Sequence, residues 1–261
     1  MTALVIKCII FAFVGYILSI VLNPLIQKLP REENIFTFER CSECRAEVGF
    51  LRKIPIFSYI FCKGRYFCGH KIPVRCLIVE IANTVLWVVA ALVGARFGIL
   101  YSVITASALS VFLVVFFTDL ETMIIPDSMA LTLVVLAILT LFTKDNVGIV
   151  SRVLAAVVTA IIFLAVYYIS ERIFGREAFG GGDVKLLIAT AFLIGGKAMV
   201  AGLFFSAVPA AIILVTVRAI NNKKGKKNQR EYPFGPFLSV GMSLGMLFGT
   251  DLINMYMSLF L

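Results

Sequence analysis

Charge is what this sequence has least of. Only 15% of its 261 residues are Asp, Glu, Lys or Arg, where a soluble domain carries about 25%, and 61% are hydrophobic, where about 45–50% is usual. With a mean hydropathy of +1.00, this shortage excludes the ordinary soluble class and points to an all-α polytopic membrane protein. Internal repeats and low-complexity segments are also lacking, apart from the short charged run Lys223 to Lys227. The start lacks a cleavage signal: Lys7 precedes an apolar segment, as in a signal peptide, but the segment runs too long and no small-residue site follows. Met1 to Ile26 is therefore expected to stay as a first span.

What is there is a series of apolar runs. At about 20 residues per crossing, they give about eight spans: Leu4 to Leu25, Leu77 to Val93, Ile99 to Phe117, Ser128 to Phe142, Val153 to Ser170, Val184 to Ile194, Ala198 to Val217, and Phe234 to Leu261. The sixth is short, covering about 16 Å at 1.5 Å per residue. Asn23-Pro24 is expected to end or kink the first helix and Pro126 to open the fourth. Gly241, Gly245 and Gly249 recur every fourth residue as a smooth stripe for helix packing.

The net charge of +9 then reads as orientation rather than as affinity for nucleic acid. With the N-terminus outside, the inner loops are 26–76, 118–127, 171–185 and 218–232. Of the 24 Lys and Arg residues, only Lys7, Arg96, Lys144, Arg152 and Lys197 fall outside them. Fusing the sixth and seventh spans would export the cluster around Lys223 to Arg230, so the chain is expected to break at Gly195-Gly196-Lys197. Residues 1–25 become a first transmembrane helix, 26–76 a cytoplasmic cysteine-containing loop, and 77–261 a transmembrane core.

Acids are as scarce as charge in general, so one of them stands out. Gly180-Gly181-Gly182-Asp183 puts a carboxylate where an apolar helix begins, after glycines that let the backbone approach another chain or a ligand. The acids available to pair with it are Glu80, Asp119, Glu121, Asp127 and Asp251. Asp251 falls toward the outer face; Asp119 and Asp127 flank an inner turn, on the same side as Asp183. Two carboxyls held together cannot both ionise, and a pair sharing one proton can activate water and polarise a carbonyl, which is aspartyl protease chemistry. The plainer alternative is that these acids cap helices or pair with Lys185 and nearby arginines.

The loop carries Cys41-Ser42-Glu43-Cys44, Cys62 and Cys68-Gly69-His70. On the cytoplasmic side thiols stay reduced, so a tetrahedral structural zinc is the better reading than a disulfide. Cys41, Cys44 and Cys68 are the expected ligands, with Cys62 as the fourth and His70 in reserve; Cys8 and Cys76 belong with the apolar spans. Reduced cysteines without metal are the alternative.

Nearly the whole chain resembles the type IV prepilin peptidases, the prepilin leader peptidase and N-methyltransferase family of GxGD aspartyl membrane proteases. The likeness is carried by Gly15, Ser19, Asn23 and Leu29-Pro30, by Cys41 and Cys44, and by Ile54-Pro55, Ser58, Gly64-Arg65, Cys68-Gly69, Ile72-Pro73, Arg75 and Glu80. Asp119 through Ile125-Pro126-Asp127 matches the first catalytic block, and Gly180-Gly181-Gly182-Asp183-Val184-Lys185-Leu186 the second. The resemblance implies Asp119 and Asp183 as catalytic residues, supported by Gly180, Gly182, Lys185 and Asp127. It implies prepilin or pseudopilin substrates, cut on the cytoplasmic face of a prokaryotic membrane just before an apolar helix, and methylation of the new N-terminus with S-adenosylmethionine. The second cysteine pair departs from the family's usual Cys-x-x-Cys, which leaves the zinc ligation and the methylation open. No Gly-rich S-adenosylmethionine loop is present. Two other classes are a proton-coupled transporter, which needs acids near mid-membrane, and a zinc-stabilised scaffold, which has no use for Gly-Gly-Gly-Asp at a helix start.

Overall fold

The computed structural model describes residues 2–34, 44, 56, 58–59, 64–66, 68–143, 145, 147–174, 180–223 and 232–260. Regular structure among them is helical, as expected where every backbone group in a bilayer must be bonded within its own segment. The helices are α1 (Thr2–Lys28), α2 (Val74–Val93), α3 (Ile99–Thr122), α4 (Asp127–Thr140), α5 (Ile149–Phe174), α6 (Gly181–Lys223), α7 (Gly235–Leu244) and α8 (Thr250–Phe260). A π-helical turn, Gly245–Gly249, joins α7 to α8.

The expected eight spans are met only in part. Among the described residues six helices are long and apolar enough to cross a membrane, and Asp127–Thr140 is a shorter apolar one. The expected sixth and seventh spans form one helical run that breaks at Gly195, whose φ of 76° and ψ of 174° are not helical. The first helix does not end at Asn23-Pro24; it runs on to Lys28 with Pro24 inside it. Proline there leaves the carbonyl one turn earlier without its helical donor, which a transmembrane helix tolerates when neighbouring groups hold it in place. Large apolar side chains such as Ile9, Phe13, Ile161 and Val215 stay exposed along the helices, as on a surface that faces lipid.

The chain divides into two compact units, Met1–Val114 and Val115–Leu261. In the first, α1 packs on α2 because Gly15 leaves room for Trp87: a Cβ on Gly15 would stand 2.6 Å from the indole. A polar ladder crosses this packing. Asn83 Nδ2 donates to the Gly15 carbonyl (2.7 Å), Ser110 Oγ to Asn83 Oδ1 (2.7 Å), and Trp87 Nε1 to Ser110 Oγ (2.9 Å). Asn23 Nδ2 donates to the Cys76 carbonyl (3.2 Å), and Lys7 Nζ to Ser102 Oγ (2.7 Å). Such bonds contribute about 0.6 kcal/mol each in a membrane, so their main effect is to fix helix register. Before α2, Arg65 and Lys71 form an antiparallel bridge closed by the Tyr66 N–H on the His70 carbonyl, with Gly64 and Gly69 at positive φ.

In the second unit the glycine stripe does what its spacing predicts. Gly241 faces Ser206, while Gly245 and Gly249 face Ala198, and a Cβ on Gly245 would lie 2.7 Å from the Ala198 carbonyl oxygen. Residues 198–206 therefore run antiparallel to 241–249, and the chain reverses at Gly195. Arg152, 1% exposed, serves that reversal: it donates to the Leu193 carbonyl freed by the break and pairs with Asp145. Lys197 Nζ meets Asn254 Oδ1 (2.7 Å) at the same end. The opposite end of these helices, where α6 and α7 begin, holds the acids.

Candidate active site

Asp119 stands in the last turn of α3 and is 6% exposed. After it, Met123 takes a left-handed φ of 55° and its N–H bonds to the Asp119 carbonyl (2.9 Å), which stops the helix and turns the chain. Pro126, with ψ of 135°, then stands one residue before α4 and starts it at Asp127. Asp183 is the third residue of α6, and its N–H closes on the Gly180 carbonyl (3.0 Å).

The structure brings Asp119 and Asp183 together: their carboxyl groups interact electrostatically, and the Gly180 backbone N–H donates to that of Asp183. Asp183 Oδ1 is buried with no hydrogen-bond partner among the described residues. Gly182 makes the approach possible, because a Cβ there would lie 3.0 Å from Ile125 Cβ, on the turn that follows Asp119. Two helix N-termini, those of α6 and α7, therefore meet the two acids, and the exposed N–H groups and positive dipole ends favour negative charge at both.

One contact was not legible in advance. The Gly235 N–H, at the first residue of α7, donates to Asp119 Oδ2 at 2.8 Å. The fit allows no side chain, since a Cβ on Gly235 would be 2.7 Å from Oδ2 and 2.8 Å from Asp119 Cγ. The available signal was Pro233-Phe234-Gly235-Pro236, a glycine bracketed by prolines where a helix starts.

The other acids lie apart from this pair or are engaged elsewhere. Asp127 accepts from Lys185 Nζ through both oxygens (2.7 and 2.8 Å), a pair with side chains 71% and 58% exposed. Glu121 is exposed at the end of α3, Asp251 lies on α8 away from the start of α7, and Glu80 belongs to the first unit. Gly180 and Gly182 thus touch the pair or its turn, while Lys185 ties α6 to α4 at the surface.

Of the expected metal ligands, Cys41 and Cys62 lie outside the described residues. Cys44, Cys68 and His70 place their ligand atoms within 4.8 Å of one another. Two thiolates and an imidazole fit a tetrahedral site that takes one further ligand. His70, the reserve in the sequence reading, is part of this group.

Two family models match the chain. One, the type IV leader peptidase family, covers residues 106–215, which include both aspartates; the other, the bacterial peptidase A24 N-terminal domain, covers residues 13–93. The chain is 31% identical over 222 residues to the prepilin leader peptidase/N-methyltransferase of Bacillus subtilis (strain 168), covering 84% of this chain and 85% of that protein. It is 28% identical over 223 residues to the protein of the same name from Dichelobacter nodosus, covering 83% and 73%. No solved structure matches it.

Proposed function

Since the chain belongs to the type IV leader peptidase family, we propose that it is a membrane aspartyl endopeptidase that cuts the leader from prepilins or pseudopilins and then N-methylates the new N-terminus. The observation that carries this reading is the facing of Asp119 and Asp183, each held by a backbone N–H at a helix start. One carboxyl is ionised and the other protonated. The ionised member takes a proton from water as the water oxygen attacks the scissile carbonyl carbon, while its partner donates to the carbonyl oxygen. Collapse of the tetrahedral intermediate breaks the C–N bond, and a proton passes to the leaving amine. Gly235 commits Asp119 Oδ2 to the scaffold and so fixes the plane of that carboxyl. The glycines at 180–182 leave an extended peptide free of side-chain obstruction.

The charge distribution supports placing both acids at the cytoplasmic face, with the N-terminus outside and eight crossings once the reversal at Gly195 is counted as two spans. A substrate whose apolar helix stays in the bilayer then presents its scissile bond at the level of the pair. Residues 1–25, 26–76 and 77–261 serve as first anchor, cytoplasmic loop and protease core. Cys44, Cys68 and His70 would hold a structural zinc, with Cys41 or Cys62 completing it. S-adenosylmethionine is the methyl donor, and supplies an electrophilic methyl group when bound.

The test is cleavage of a purified prepilin by membranes containing Asp119→Asn or Asp183→Asn. Each substitution is expected to lower cleavage by about 10²-fold or more while the protein still inserts, since a positioned acid or base contributes about 10²–10⁴. Wild-type cleavage by either variant overturns the mechanism.

A further inference from the structure

The first unit encloses polar atoms that the protease chemistry does not use. Glu80 is fully buried (0% exposed) on α2; its Oε2 accepts the Ile56 N–H at 2.7 Å, but Oε1 has no partner among the described residues. Asn23 on α1, 6% exposed, bonds through Nδ2 to the carbonyl of Cys76, one turn before Glu80, and its Oδ1 has no partner among the described residues. Ser58, two residues after Ile56 and 0% exposed, has a hydroxyl without a partner among the described residues. Two bonds tie these segments to α2, Asn23 to the Cys76 carbonyl and the Ile56 N–H to Glu80, and together the segments carry two acceptors and a hydroxyl with no partner among the described residues. A buried unpaired carboxylate is costly, because the desolvated charge has lost its water without gaining a partner. No cation among the described residues answers it.

The missing partner must be cationic or rich in donors and must supply several hydrogen bonds in a small volume. A primary ammonium, with three N–H donors and one positive charge, meets all three requirements. We infer that Glu80, Asn23 and Ser58 form a binding site for a primary α-ammonium group. Resting on the methyl-transfer reading above, two molecules of that reaction carry such a group. They are the methyl donor, through its amino-acid end, and the cleaved substrate, through its new N-terminus.

The experiment is equilibrium binding to the full-length protein in lipid nanodiscs. The probes are S-adenosylhomocysteine and its analogue lacking the amino group, and a peptide with a free N-terminus ahead of an apolar segment, paired with its N-acetylated twin. For one of the two free-amine probes, Glu80→Gln is expected to raise Kd at least tenfold, and its amine-free counterpart should bind wild type as weakly as the variant binds the free amine. Which probe responds identifies the source of the ammonium. Ser58→Ala removes a hydroxyl that holds nothing in the structure, so it keeps the fold if Glu80→Gln does not, and it should weaken the same probe about threefold or more. Elution as a single species and an unchanged thermal transition certify each variant. Affinities within twofold of wild type in every variant that folds overturn the site. Failure of the wild type to bind either probe overturns both the site and the methylation reading, and leaves prepilin cleavage to be judged by the aspartate variants.

Discussion

Gly235 is the residue on which the site geometry turns, although it carries no side chain. Its N–H holds Asp119 Oδ2 at 2.8 Å and its missing Cβ is the space the carboxyl occupies. Gly235→Ala is therefore expected to push the carboxyl out by up to about 1 Å and lower kcat for leader cleavage by up to about 10²-fold, the cost of a misplacement of about 1 Å. KM should change little, and steady-state kinetics on a purified prepilin check both numbers. Lys185 contrasts with it. Its pair with Asp127 is more than half exposed on both sides, so Lys185→Met should alter stability by less than about 1 kcal/mol, measured as a shift in Tm. Asp183 stood out in the sequence because three glycines precede an acid at the head of an apolar run. The partner glycine lies 116 residues from Asp119, and no local pattern connects the two.

Among elements, α6 departs furthest from a plain helix. Its break at Gly195 combines a positive φ with contact: a Cβ there would lie 2.6 Å from Val147 Cγ1. Gly195→Ala should destabilise the protein by about 1–3 kcal/mol, and reduced Tm in detergent is the readout. The break was legible as a matter of charge, since a continuous helix would send the basic cluster after Val217 to the wrong side. Its stereochemistry was not, because the buried Arg152 that donates to the Leu193 carbonyl belongs to a different helix. Pro24 teaches the converse: a residue that stops most helices is carried within α1, where the Asn23 side chain is anchored on α2.

At the scale of the whole molecule, the aspartates lie in the unit Val115–Leu261 and the cysteine–histidine group in Met1–Val114. Cleavage and metal binding should therefore separate. Cys44→Ser and Cys68→Ser are each expected to remove bound zinc, measured by elemental analysis of the purified protein, while leaving prepilin cleavage within about threefold of wild type if the metal only shapes its own loop. Loss of cleavage in parallel with zinc would instead tie the loop to the protease.

Composition alone determined that this chain lives in a bilayer as a set of helices, because so few charges and so many apolar residues admit no other solvent. Local pattern marked Asp183 and the glycine stripe, since each depends on neighbours a few residues away, whereas Asp119 was reached through the side of the membrane its turn falls on and through the family resemblance. Only the tertiary structure decided what holds those acids and what remains unanswered beside Glu80. Hydrogen-bond satisfaction in a buried site is settled by groups that arrive from distant segments: the Gly235 N–H on Asp119, the Ile56 N–H on Glu80, the Leu193 carbonyl on Arg152.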